Sequence, residues 1–197
     1  MRTDIIEYLQ KEVRARCEAP SNKFGIGCYY HIESVVKNAE LLAEKYGADK
    51  EVTVIAAWLH DIASVTDYSL YEEHHIRGAE IAEEILGRFG YDIDKTKLVK
   101  SCIKNHRGSV RSACEAPVGK EEICVADADA ISHFDNVSSL LFLAYGTKGM
   151  DYETGKSFVL NKLKRSYAKL SEESRKFYCG KYERVMEIIG ESKTINI

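Results

Sequence analysis

The chain has 197 residues, 45% of them hydrophobic and 30% charged, with a formal net charge of −3. That length suffices for one well-buried domain, the composition is that of a globular protein, and the weak negative charge argues against a surface built to coat nucleic acid. No stretch of about 18 apolar residues is present, and Met1 to Leu9 carries Asp4 and Glu7 rather than an apolar signal core, so a cytoplasmic protein without a membrane span is expected.

Two prolines in the whole chain favour long, uninterrupted helices. Ile5, Ile6, Leu9 and Val13 recur at helical spacing and predict a helix from Thr3 to about Cys17. The breaker-rich stretch 18–27 reads as a loop. A second helix is predicted over Tyr29–Tyr46, with Gly47 closing it. Asp49 is placed to cap a third, Lys50–Ala63, which is apolar nearly all round and therefore belongs at the centre of the domain. Further helices are predicted over Glu72–Phe89, from Asp94 to about His106, over Lys120–Phe134 and Val137–Tyr145, from Ser157 to about Leu170, and over Glu172–Ile189. A loop spans Arg107–Gly119, and 191–197 reads as frayed. With no strong strand signal and no internal repeat, the expected fold is all-α and single-domain. Six cysteines, at 17, 28, 102, 114, 124 and 179, form no CxxC pair and read as ordinary thiols. Cys17 and Cys28, which flank the first loop, are able to pair under oxidation.

The chemistry starts from His60-Asp61, near the end of the most apolar helix. A carboxylate among Ile55, Trp58, Leu59 and Ile62 is costly unless something satisfies it, and imidazole with carboxylate is a standard ligand set for a divalent metal. The bland alternative is a solvated helix-end Asp beside a core His. The short 47–49 connection makes the second and third helices an antiparallel hairpin, which brings His31 to the same end as His60 and Asp61. Asp127 and Asp129 stand in another apolar helix. They point about 200° apart and so should not share one role; one can ligate metal while the other caps, pairs or hydrogen-bonds. His133 is given no role.

The ordered set His31, His60-Asp61 and Asp127 on successive helices, with the flanks AAWLHDIA and VADADAIS, resembles the HD-domain superfamily of metal-dependent phosphohydrolases over about residues 26–135. The resemblance implies an all-α helical bundle, with 1–25 an N-terminal helix and loop, 26–135 the HD domain, and 136–197 C-terminal helices packing on it. It implies that His31, His60, Asp61 and Asp127 bind one divalent cation (Mn, Mg, Fe, Co, Ni or Zn), the first Asp of the DAD segment being taken as the ligand. His74, or His75 in its place, and His106 are the candidates for a second metal. Catalytic roles fall to Asp61 and His106, and phosphate contacts to Lys104 and Arg107, with Arg77 and Arg111 nearby. The expected function is hydrolysis of a small phosphate ester or nucleotide, without a stable nucleic-acid complex. The competing readings are a non-catalytic metal- or nucleotide-binding module and a di-iron oxygenase on the same scaffold.

Overall fold

The computed structural model describes residues 1–107 and 119–190. In chain order the helices are α1 (Thr3–Glu18), α2 (Gly27–Tyr46), α3 (Lys50–Leu59), α4 (Ile62–Thr66), α5 (His74–Arg88), α6 (Ile93–Asn105), α7 (Lys120–Asp135), α8 (Val137–Leu141), α9 (Tyr152–Lys169) and α10 (Glu172–Ile189). A 3-10 turn, Tyr68–Glu73, leads into α5, and a π-helical turn, Phe142–Thr147, follows α8. Among the described residues there is no strand, and no helix is long and apolar enough to cross a membrane. The predicted loop over 107–119, apart from its two end residues, and the 191–197 tail lie outside the described residues.

Local signals explain the α2–α3 hairpin. Gly47 takes the left-handed backbone (φ 64°) that closes α2, a conformation glycine adopts without a Cβ penalty. The Asp49 carboxylate accepts from the backbone N–H groups of Glu51 and Val52 and so starts α3. Every α3 residue from Val52 to Leu59 is buried, which makes it the central helix expected from its all-round apolar sequence.

The third helix is not continuous to Ala63. It breaks at His60-Asp61, where Asp61 leaves helical geometry (φ −110°, ψ 13°), and restarts as α4. On an unbroken helix, consecutive side chains diverge by about 100°. The break lets the two side chains of the doublet meet, with His60 Nε2 3.5 Å from Asp61 Oδ2.

Two apolar clusters flank that point. Ile5, Leu9, Ile55, Leu59, Leu86 and Ile103 gather α1, α3, α5 and α6. Val35, Ala39, Ile131, Phe134, Leu163 and Met186 gather α2, α7, α9 and α10. Helix α9 begins at Tyr152, five residues earlier than its spacing suggests. Asp151 caps it by accepting from the Thr154 N–H, and Gly155 lies under the Tyr145 ring, where a Cβ would clash.

Candidate metal centre

Four histidines from four helices converge between the two clusters, and each is oriented by a second contact. His60 Nδ1 lies 2.8 Å from Ala57 O, His74 Nδ1 2.6 Å from Tyr71 O, and His106 Nδ1 2.5 Å from Ile103 O. A carbonyl only accepts, so each Nδ1 carries the proton and donates, and each Nε2 presents a lone pair. His31 reaches the same state through Ser132. That hydroxyl gives its one proton to Asp129 O (2.7 Å), so at 2.9 Å it accepts from His31 Nδ1.

The inward atoms form two groups. His31, His60 and Asp129 make one; Asp61, His74 and His106 make the other; within each group the ligand atoms lie within 4.8 Å of one another. In the first, His31 Nε2 is 3.3 Å and His60 Nε2 4.0 Å from Asp129 Oδ1. In the second, His74 Nε2 is 3.5 Å and His106 Nε2 3.8 Å from Asp61 Oδ1. The other Asp61 oxygen, Oδ2, is 3.5 Å from His60 Nε2, so this carboxylate offers one oxygen to each group.

These residues fit divalent cations. His60 is fully buried, and its Nε2 has no hydrogen-bond partner among the described residues. His74 Nε2 and His106 Nε2 face each other at 3.3 Å, although both rings already spend a proton on a carbonyl. Two opposed lone pairs call for a cation between or beside them. The spacings are close to those of ligands that share a metal at about 2.1 Å. Gly78, one turn after His74, permits the approach of α5: a Cβ there would stand 3.3 Å from Ile103 Cγ2 and 3.7 Å from His60 O.

The structure corrects the choice between the two aspartates of α7. Asp127, expected at the metal, faces the other way. It is 2% exposed and accepts from the Ser171 N–H (2.9 Å) and the Ser171 hydroxyl (2.5 Å). Asp129 occupies the place beside His31 and His60. The two side chains diverge as their helical phase requires, and only the packing of α7 on α2 decides which one turns to the histidines.

Electrostatics draw positive charge to this point. Burial alone would push the Asp61 carboxyl up, but His60, His106 and His74 outweigh it and hold the group well below the usual carboxylate range. Burial would likewise raise Asp129, yet Lys169 and His31 keep it well below. His60 feels the converse: burial favours the neutral ring, but Asp61 and Asp129 prevail and raise it. Burial lowers His106 to about 4, so its ring is neutral at physiological pH.

Above the two groups opens a polar cavity of about 160 Å³. Its walls carry Arg107, Lys162, Arg165 and Lys169. Of the cations expected from the sequence, Arg107 is present, its guanidinium donating to Glu72 O at 2.5 Å. Lys104 is exposed and lines no part of the cavity, because it sits on the solvent side of α6. Arg77 pairs with Glu73 and Glu80 on the surface, and Arg111 lies outside the described residues. His75, the alternative to His74, belongs to neither ligand group. His133, given no role from sequence, is buried and lines the cavity. Its ring lies 4.7 Å from that of His31 and its Nδ1 3.2 Å from Ser166 Oγ, and burial, with Lys162 adding to it, holds it well below the ordinary imidazole value. The cations missed are those of α9. Lys162, Arg165 and Lys169 repeat at helical spacing beside the apolar stripe of Val159 and Leu163, and that stripe was the available signal.

Comparison with known proteins places this arrangement. The HD domain family profile matches residues 28–133, which include all six members of the two ligand groups. An uncharacterized Clostridium beijerinckii protein is 30% identical over 107 residues, 53% of this chain and 66% of that one. Ribonuclease Y of Pseudothermotoga lettingae is 32% identical over 109 residues, 55% of this chain and 19% of its own length, so the chain spans only part of the curated relatives it matches. Among solved structures, Bacillus subtilis YpgQ in complex with ADP superposes with a TM-score of 0.67 at 21% identity, over 93% of each chain. A predicted HD superfamily hydrolase from an uncultured Thermotogales bacterium gives 0.56 at 22% identity, over 96% of this chain and 93% of that one. The chain belongs to the HD-domain family, a superfamily of metal-dependent phosphohydrolases.

Proposed function

We propose that this protein is a hydrolase of small phosphate esters or nucleotides that works with two divalent cations. The observation that carries the reading is Asp61, whose two oxygens face separate ligand groups at the base of a cavity walled by four cations. His31, His60 and Asp129 would hold one cation and His74 and His106 the other, with Asp61 between them. A divalent metal held there (Mn, Mg, Fe, Co, Ni or Zn) supplies an acidified water and polarises a phosphoryl oxygen.

The chain's own residues do the rest. Arg107, Lys162, Arg165 and Lys169 neutralise and orient the phosphoryl oxygens, with the arginines suited to bidentate contact. Asp61, its carboxylate kept ionised by the three histidines, would lie between the two cations and orient the attacking water by charge rather than take its proton. The C-terminal helices therefore serve the site as well as the fold. A nucleotide is the favoured substrate, since YpgQ, similar in fold, was crystallised with ADP.

The test is turnover of phenyl phosphate and a nucleotide panel with Mn, Mg, Co and Ni, alongside metal analysis. The His60→Ala/Asp61→Ala double variant should lose both metal and turnover. No turnover with any metal, in protein shown to bind it, would overturn the reading. Two irons retained after anaerobic purification, again without phosphoester turnover, would favour the oxygenase instead.

A further inference from the structure

A second cavity, of about 240 Å³, opens beside the first and shares His31, Asp61, Tyr71, His133, Lys162 and Arg165 with it. Its character is different. Leu140, Leu143 and Phe158 line one part, and Phe24, Tyr68 and Tyr71 another. Phe24 lies 5.5 Å from both tyrosine rings, whose planes are parallel within 1°. Tyr68 is 45% exposed and Tyr71 40%. Two exposed tyrosine rings backed by the half-buried Phe24 at a cavity mouth make an apolar surface with a use.

Among the described residues, one buried hydroxyl in this cavity lacks a partner. Ser64, in α4, is 3% exposed and lines the cavity, yet its hydroxyl has no hydrogen-bond partner among the described residues. Thr66, on the same short helix, bonds the carbonyl four residues back; Ser64 does not. An unsatisfied buried hydroxyl costs stability, so such groups call for an explanation, and ligand recognition is one.

We infer that this second cavity is the subsite for a planar heteroaromatic ring, of the nucleobase class, carried by the phosphorylated substrate, and that Ser64 reads a hydrogen-bonding edge of that ring. The inference rests on the phosphohydrolase reading of the neighbouring cavity. The shared wall sets the layout: phosphates lie over the metal ligands among the α9 cations, and the organic part turns past His31 and Asp61 towards Phe24 and Ser64. A sugar phosphate would leave most of its hydroxyls facing Leu140, Leu143 and Phe158. A plain phenyl or alkyl ester would leave Ser64 unsatisfied.

The experiment is calorimetric titration of the magnesium-loaded protein with ADP and, separately, with inorganic pyrophosphate, which keeps the phosphates and drops the nucleoside, with AMP against ribose 5-phosphate as the pair that differs by the ring alone and should show the same advantage. The expected result is tighter binding of ADP, with that advantage falling about tenfold in Ser64→Ala and further in Phe24→Ala. Circular dichroism should show both variants folded, and Ser64→Ala should unfold no earlier than the parent, because an unsatisfied hydroxyl has been removed. Equal affinity for ADP and pyrophosphate, or an ADP-to-pyrophosphate ratio unchanged by Ser64→Ala, overturns the inference. Failure of the phosphohydrolase reading shows separately, as absence of turnover of phenyl phosphate and of every nucleotide in the panel, with any metal, in protein shown to bind it.

Discussion

Lys169 Nζ lies 2.5 Å from Asp129 Oδ2, while Oδ1 of the same carboxylate stands 3.3 Å from His31 Nε2. The ammonium thus holds Asp129 ionised but also places a positive charge next to a cation site. Replacing it with an uncharged chain of similar length, Lys169→Met, should tighten metal binding at the His31–His60–Asp129 group and weaken phosphate binding, raising KM roughly tenfold or more. Metal titration and steady-state kinetics read the two effects; weaker metal binding would show that Lys169 acts mainly by orienting Asp129.

The two aspartates of α7 should separate cleanly by mutation. Asp129→Ala should lose metal from the first group, and it should also cost stability, because it removes the carboxylate that pairs with the largely buried Lys169 ammonium. Asp127→Ala should keep the metal but lose about 2–3 kcal/mol of stability, because the Ser171 N–H and hydroxyl lose their buried acceptor. Denaturant unfolding and metal analysis on both variants check the pair. Metal loss from Asp127→Ala at unchanged stability would reverse the assignment.

His74→Ala or His106→Ala should lower the metal stoichiometry from two per chain towards one, since each removes a ligand from the Asp61 group. His75→Ala should leave it unchanged. Elemental analysis after dialysis distinguishes the three, and equal loss from His75→Ala would count against the ligand groups as drawn.

Glu51 gives a pH prediction away from the site. Burial would raise its carboxyl, but hydrogen bonds from the Tyr91 hydroxyl (3.0 Å) and the Arg2 N–H (2.7 Å), with Lys95 nearby, lower it below the ordinary value. A carboxyl depressed in the folded state stabilises the fold above its unfolded pKa of about 4.3, and that contribution is lost as pH falls through the folded value. Glu51→Gln should therefore cost on the order of 1 kcal/mol near neutrality, with the deficit closing below about pH 4. Urea melts across that range decide it; a deficit that persists in acid would mean the loss is one of packing.

Helix periodicity and caps carry most of the architecture. Asp49, Gly47 and the apolar face of α3 are local signals, and they place His31 beside His60 with ring centroids 5.6 Å apart. The break at Asp61 is not local. It depends on what α3 and α4 pack against, and the sequence around it is good helix throughout. The choice between Asp127 and Asp129 was illegible for a related reason: both sit in a helix buried on nearly every side, so amphipathicity does not say which face meets α2. Lys162, Arg165 and Lys169 look like any solvated helix face until α9 is folded back over the site from more than thirty residues downstream of Asp129. Lys104 and Arg107 differ only in which side of a helix end they leave, and three residues of phase decide that one reaches the cavity.

Ala57, Tyr71 and Ile103 each touch a histidine through a main-chain oxygen, whatever their side chains do. The orientation of His60 and His106 is therefore insulated from substitution at Ala57 and Ile103 so long as the helical turn survives, whereas His74 also stacks on the Tyr71 ring, with centroids 5.6 Å apart. A lineage carrying this scaffold can redraw the cavity walls that touch no ligand histidine, Leu140, Leu143 and Phe158 among them, and so change what it accepts, while the lone pairs that face the cations stay where they are.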